Sequence, residues 1–542
     1  MSYDAFEHIN LTGRGLRAIP VVLHGHADTI TTLNLSRNPM LEIPLDFIQS
    51  CTTLRELRLS NMAMKRVPQS VRHSVTLFRL DLSSNRIVDL NEAGLSQIPK
   101  LSSLNVQNNR MEQLPWYFPR LRMLRYLNIS NNKFRVLPRV VGEMINLVDL
   151  DISFNMLSEL PENIGQLKLL DRLIIVGNQV SKFPEECSEL VSLRDLDCRR
   201  NHISDLSVVC MLPKLETLRA DHNAIQTLDL SMGPSLKILD ASHNDITRLS
   251  LVPGPTGYSP YTLVSLDISN AKLSSLDEFA LGQLSSLEIL KIGHNKFRYI
   301  PESLGDLSQL KRLSCSDNAL DALPSSIGRL QNLEFLDAHN NSLTELPITL
   351  WNCASLTAIN VTSNHLGIWH DPPAANMLVT GSSDTSYILS SSRSTQVNPE
   401  RKTSAAGSIG SGVGRILPPL ALSLERLWIG NNDLSDEVLG PLTLLRELRV
   451  LNLSFNDIQE MPGSFFRNLV HLEELYLSGN GLTSIPTEDL HRLTKLSVLF
   501  LNGNKLQTLP HELGKIRSLA IFDVGSNVLK YNINNVQFDW NW

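Results

Sequence analysis

Nothing in these 542 residues approaches 18 consecutive apolar positions, so no segment is expected to span a bilayer as a helix. An excess of either charge sign is missing too. The 49 Lys and Arg stand against 55 Asp and Glu, giving a formal charge of −6 and a pI near 6.2. That balance argues against nucleic acid as the main ligand, which would favour a basic face. The opening, MSYDAFEHIN, lacks the basic-then-apolar pattern of a secretory signal, and a cytoplasmic location is the simplest expectation. Cysteine is scarce and scattered: Cys51, Cys187, Cys198, Cys210, Cys315 and Cys353 form no close pair. They read as small buried hydrophobes rather than disulfides or metal ligands. Catalytic signatures are also lacking. There is no H-E-x-x-H and no set of nucleophile, base and orienting residue. The glycine-rich run GSIGSGVGR at 407–415 lacks the Gly-Lys-Ser/Thr ending of a phosphate loop. No catalytic, cofactor or metal site is expected in this chain.

What the chain has is repetition. Leu451, Leu453, Asn456, Ile458, Met461 and Pro462 recur 24 residues later as Leu475, Leu477, Asn480, Leu482, Ile485 and Pro486. The template L-x-x-L-x-L-x-x-N-x-L-x-x-L/I-P begins at residues 30, 54, 77, 101, 124, 147, 170, 193, 215, 236, 263, 287, 310, 333, 356, 424, 448, 472, 496 and 519. Asn holds its place in 18 of these 20 units, and only Met62 and Ala271 depart. So many matches in register identify leucine-rich repeats. The L-x-L step is a short strand whose alternate side chains point inward. Stacking the units predicts an α/β solenoid, a curved horseshoe with a parallel sheet on its concave face. Short helical or 3₁₀ segments should line the convex face. Where each strand ends, Asn can donate to and accept from the turning backbone. Asn109, Asn132, Asn155, Asn178, Asn456 and Asn480 are therefore expected to form a ladder.

The spacing breaks between the units at 356 and 424. Residues 376–415 are rich in Ser, Gly and Thr, too polar to offset the entropy of ordering. The expected organisation is a first array over 1–369, a disordered insert over 370–422 and a second array over 423–542 that continues the same solenoid. A shorter irregularity at 250–262 reads as a rim loop.

The outward strand places supply candidate contacts. In the first array they mix signs: Asp149, Asp151, Asp195 and Asp197 against Arg172, Arg199 and Arg219, with His222, His243 and His294 nearby. A mosaic of this kind suits a protein partner chosen by charge complementarity. Near the C-terminal end the same column turns aromatic at Trp428, Phe455, Tyr476 and Phe500, residue types that dominate binding hot spots.

The final stretch, FDVGSNVLKYNINNVQFDWNW (522–542), resembles the end of the repeat region of fungal-type adenylyl cyclases. NLTGRGLRAIP (10–20) and LNLSRNPMLEIPLDFIQSCTTLRELRLSNM (33–62) are similar to that family's first repeats. NDLSDEVLGPLTLLRELRVLNLSFNDIQEMP (432–462) is similar to its late ones, after a comparable Ser-rich interruption. The resemblance implies a parent enzyme making cyclic AMP from ATP with Mg²⁺. It also implies flanking Ras-associating, phosphatase-like and catalytic domains, and repeats that dock a Ras-type small GTPase in its GTP form. It implies a cytoplasmic location, or a peripheral one at the plasma membrane through that partner. The alternative is a free-standing cytosolic repeat scaffold without enzymatic activity.

Overall fold

The computed structural model describes residues 7–39, 41–230, 233–251, 262–373 and 417–530. The chain divides into two compact units. One comprises Met1–Ser326 with Leu336–Ser342, and the other Ile327–Phe335 with Leu343–Trp542. The Ser-rich insert expected to be disordered, most of the rim loop at 250–262 and the aromatic end at 531–542 lie outside the described residues.

In the first unit each repeat contributes a three-residue strand, and neighbouring strands pair in parallel without slippage. Tyr126–Asn128, Asp149–Asp151, Arg172–Ile174, Asp195–Asp197 and Thr217–Arg219 show the rule. Leu127 stands opposite Leu150, Leu150 opposite Leu173, Leu173 opposite Leu196 and Leu196 opposite Leu218. All five are buried. Alternation turns the middle residue of each strand inward and its two neighbours outward, so one apolar column is shared by every repeat. A slip of one residue would put this column in water, which fixes the register. The second unit repeats the arrangement in Arg426–Trp428, Val450–Asn452, Glu474–Tyr476, Val498–Phe500 and Ile521–Asp523.

The return segments are mostly 3₁₀ turns, as expected. Glu162–Gln166, Glu185–Glu189 and Glu302–Asp306 each start directly after a proline, at Pro161, Pro184 and Pro301. Proline has no N–H to lose at a helix start, and the few residues before the next Leu leave room for one tight turn only. Adjacent turns pack closely: a Cβ on Gly165 would collide with the Glu186 carbonyl. The units at 215 and 236 differ. They start only 21 residues apart, and Thr227–Leu230 and Arg248–Leu251 pair as a separate two-stranded parallel sheet. The unit at 215 is 21 residues long whereas the unit at 236 runs to 27, so shortness alone does not straighten both returns.

The ladder forms as its spacing implies. Asn132 Nδ2 donates to the carbonyls of Val106 (3.0 Å), Ile129 (3.0 Å) and Ser130 (3.1 Å), while its Oδ1 accepts from Met111 N–H (2.9 Å). Asn109, Asn155, Asn178, Asn456 and Asn480 make the corresponding bonds. Each side chain thus closes its own turn and reaches back to the repeat before it. All six cysteines are free and buried. Cys198 Sγ donates to the Arg219 carbonyl (3.3 Å).

One boundary moves. Regular packing resumes before residue 423, because Pro419–Leu422 is a 3₁₀ turn with Leu420 and Ala421 buried. At the near edge the Trp351 indole donates to the His370 carbonyl (2.9 Å). The expected insert of 370–422 therefore overreaches at both ends. Leu420 and Ala421 fill the core of the second array before the first template Leu at 424. Among the described residues no helix is long and apolar enough to cross a membrane, and no group of His, Cys, Asp or Glu could hold a metal ion.

Candidate functional site

Each strand turns its first and third residues outward, which gives two columns per unit. In the first unit the first-place column runs through Asp149, Arg172, Asp195 and Thr217. Arg172 lies between two carboxylates, 3.4 Å from Asp195 and 3.9 Å from Asp149. Arg219, from the third-place column, donates to the other side of Asp195 at 2.9 Å. Arg199 grips Asp197 with two bonds of 2.8 Å and lies 3.7 Å from Asp221. The structure therefore brings Asp149, Arg172, Asp195 and Arg219 into one network and Arg199 with Asp197 into another. The pairing with Asp197 raises the pKa of Arg199 further. Burial raises the carboxyl pKa of Asp149 despite Arg172.

The third-place acids have a structural duty that the sequence reading missed. Ser153 N–H donates to Asp151 Oδ1 (3.0 Å), Ser242 N–H to Asp240 Oδ1 (3.1 Å) and Ser269 N–H to Asp267 Oδ1 (3.1 Å). Ser130 N–H finds the same bond at Asn128 (2.9 Å). Asp and Asn recur here because a short acceptor side chain can hold the amide two residues on, as the chain turns out of the strand. The alternation of Asp and Asn along this column was the available signal. Asp240 retains little compensation. Burial raises its pKa, the bonds from Ser242 oppose that rise, and Asp267 and Asp221 add to it.

A second row escaped the sequence altogether. The residue before the ladder Asn adopts a left-handed backbone in repeat after repeat: Asn108, Asn131, Phe154, Arg200, His222, His243 and Phe455 all have φ between 50° and 57°. Composition hides the row because so many residue types fill it. His222 and His243 stack there with ring centroids 4.2 Å apart. His222 Nδ1 lies 2.8 Å from Asp221.

In the second unit Trp428, Tyr476 and Phe500 hold the outward third place, as expected, each half-buried. The pairing order is Trp428, Asn452, Tyr476, Phe500, Asp523. Tyr476 and Phe500 meet edge to face at 5.2 Å, while Trp428 stands one strand away beyond Asn452. Tyr476 Oη donates to Glu474 (2.7 Å), and burial together with that carboxylate pushes the phenol up to about 12. Phe455 requires correction. It is not in this column but in the left-handed row, at φ 57° and 61 % exposed. Its ring lies over Gly479, where any Cβ would collide with it. Phe455 and Phe500 nevertheless line one shallow groove of about 420 Å³, with Asn431, Asn452, Ser454 and Asn502 between them. The strand face of this unit thus offers aromatic rings beside side-chain amides, of which Asn431 already donates to Ser363 and Asn502 accepts from Ser478. The charged groups of the first unit are largely engaged with one another.

Comparison with known proteins agrees with this architecture. Models described as leucine rich repeat match residues 262–320, 332–353, 446–506 and 474–529, and one described as leucine-rich repeat region matches 116–237. An adenylate cyclase of Podospora anserina is 37% identical over 604 residues, covering 99% of this chain and 28% of the relative. One of Mycosarcoma maydis is 45% identical over 552 residues, covering 100% of this chain and 22% of the relative. The chain thus spans about a quarter of the length of the curated relatives it matches. Among solved structures, the repeat ectodomain of the Arabidopsis thaliana receptor kinase GASSHO1/SCHENGEN3 has a TM-score of 0.61 at 22% identity, covering 98% of this chain and 68% of that one. YopM from Yersinia enterocolitica has 0.58 at 23%, covering 97% and 88%. These two share the fold.

Proposed function

Since this chain belongs to the leucine-rich repeat family and is related over its whole length to a stretch of fungal adenylate cyclases, we propose that it is a regulatory, protein-binding segment of such an enzyme. Its partner is a GTP-loaded Ras-type small GTPase, and its role is to control cyclic AMP synthesis by catalytic residues outside this repeat region. The Mg²⁺ of that chemistry belongs to the catalytic part of the parent.

The observation that carries the reading is the extent of the relationship. It covers essentially every residue of this chain rather than the generic repeat pattern alone. The strand faces support it. A partner reaching the second unit meets Trp428, Tyr476, Phe500 and Phe455 beside amide groups able to bond it. In the first unit a partner must share or open the pairs that Arg172, Arg199 and Arg219 already make, which favours a ligand of matching charge pattern over a merely acidic or basic one. Regulation then needs a coupling free energy: the GTPase binds one conformation of the parent better and shifts its population.

The test is binding of the chain to a Ras-type GTPase loaded with a GTP analogue or with GDP. The expected outcome is a strong preference for the GTP form. Trp428→Ala combined with Tyr476→Ala should weaken binding by tenfold or more, because aromatic hot spots cost upwards of about 2 kcal/mol each on truncation. The chain should stay folded with only a small drop in urea midpoint, from the roughly 0.5–1.5 kcal/mol of the Tyr476–Phe500 contact, since both side chains face outward. Equal binding of both nucleotide forms, or none, would instead favour a scaffold with another partner.

A further inference from the structure

One flank of the first unit carries charge of a different kind from its strand face. The three loops at 86–90, 110–114 and 133–137 hold four cations, Arg86, Arg110, Lys133 and Arg135, against two carboxylates, Asp89 and Glu112, in a chain whose overall charge is −6. The loops leaving the C-terminal ends of the strands are in register here. Arg86 N–H donates to the Met64 carbonyl (2.8 Å), Arg110 N–H to Ile87 (2.9 Å) and Lys133 N–H to Met111 (2.8 Å). Arg86, Arg110 and Lys133 therefore form a row with one cation per repeat, all exposed, and Arg135 stands exposed two residues beyond the last. Arg66 has Glu92 at 3.0 Å. Among the described residues none of Arg86, Arg110, Lys133 and Arg135 lies in an ion pair, whereas Arg172, Arg199 and Arg219 all do.

The same repeats also expose apolar surface. Trp116, directly after Pro115, is 69 % exposed with the Arg120 guanidinium 4.6 Å over its ring. Val88 and Val136 are 53 % and 55 % exposed at neighbouring loop places. In a solvated loop the stacking of Arg120 on Trp116 stabilises only weakly. At a lipid–water boundary the same combination is favourable, because indole prefers the interfacial zone and each nearby cation is drawn to anionic headgroups. The cations are spread one repeat apart with apolar side chains between them, not gathered into a cleft. Laterally mobile headgroups can meet such a spread without fixed positions, which an acidic protein segment cannot.

We propose that this flank, centred on Arg110, Lys133 and Trp116, is a binding surface for an anionic phospholipid bilayer. The cations engage headgroup phosphate and carboxylate groups, and the indole enters the interface. Sedimentation of the full chain with vesicles tests it, using phosphatidylcholine alone or phosphatidylcholine with phosphatidylserine. Binding is expected only with phosphatidylserine and is lost at high salt. Arg110→Glu with Lys133→Glu should lower partitioning by at least about tenfold, each lost cation counting for about fivefold. Trp116→Ser should weaken it separately, and circular dichroism should report an unchanged fold for both variants. Equal binding to the two vesicle types overturns the proposal, as does a charge-reversed variant that partitions like the parent. So does light scattering that reveals self-association without vesicles, abolished by the same substitutions: that result assigns the flank to a second copy of the chain.

Discussion

At the scale of single residues, the fold depends on side chains that bond backbone rather than one another. Asn132→Ala would leave the buried Met111 amide without its acceptor, while the Val106, Ile129 and Ser130 carbonyls each keep a second donor. A loss of about 1–3 kcal/mol is expected, the cost of one buried group left unpaired, read from urea unfolding. Asp240 gives a prediction of opposite sign. Asp240→Asn keeps an acceptor for Ser242 N–H and removes a desolvated charge beside Asp221 and Asp267. It should be neutral or stabilising, whereas Asp240→Ala should destabilise by about 1 kcal/mol through the lost hydrogen bond. The pH dependence follows from the raised pKa. Folding favours the protonated carboxyl, so its stabilising contribution is full below the ordinary value of 3.8 and is lost as pH rises through the raised one. Unfolding midpoints across the acid range should show this trend in the parent less that in Asp240→Asn. The Asn ladder was legible because one residue type at one spacing meets one need. The left-handed row was not, since Arg, Ser, His, Phe and Asn all tolerate it when the Asn beside them holds the turn.

Among the elements, strand register and strand face were readable because a period of two leaves only one buried solution. This is why Trp428, Tyr476 and Phe500 came out facing outward. Phe455 was misplaced because it lies three residues past the end of the strand at Asn452, where alternation no longer applies and the backbone has already turned. The end of the insert was missed for a related reason: Leu420 precedes the first template Leu and belongs to the preceding return segment. Packing between return segments yields its own prediction. Gly165→Ala should force the Glu162–Gln166 turn away from the Glu186 carbonyl and cost about 1–3 kcal/mol, as overpacking does. Thermal unfolding measures it. Gly440 has nothing within 4 Å of its missing Cβ and lies in the helix Leu439–Leu442, so Gly440→Ala should be neutral or stabilising in the same experiment.

Over the whole molecule, the sequence announced twenty repeats, and its fungal cyclase likeness extends from end to end. The partner is less legible, because the outward places are those the template leaves free. Composition likewise averaged away the basic flank, since a net charge of −6 conceals three neighbouring loops with four cations and two carboxylates. The buried thiols provide a measurement that spans the chain. Burial pushes Cys51 up to about 11 and Cys187, Cys210 and Cys353 up to about 12, with Cys198 and Cys315 raised as well. At pH 8 none of the six should react with maleimide in the native protein, and all should do so in urea, as counted by mass spectrometry. Partial labelling at intermediate urea would then map which repeats open first.

The direction of the ladder has a consequence for how such a chain is made. Each asparagine reaches toward the repeat that was synthesised before it, as Asn132 does to Val106 and Asn480 to Leu453. A newborn repeat leaving the ribosome therefore finds the carbonyls its asparagine needs already in place, while its own turn amide stays open until the next asparagine arrives, as that of Met111 does for Asn132. Shortening the array from its carboxyl end leaves every remaining asparagine supplied, while trimming the amino end deprives the first one of its template. Growth of this protein has a built-in polarity.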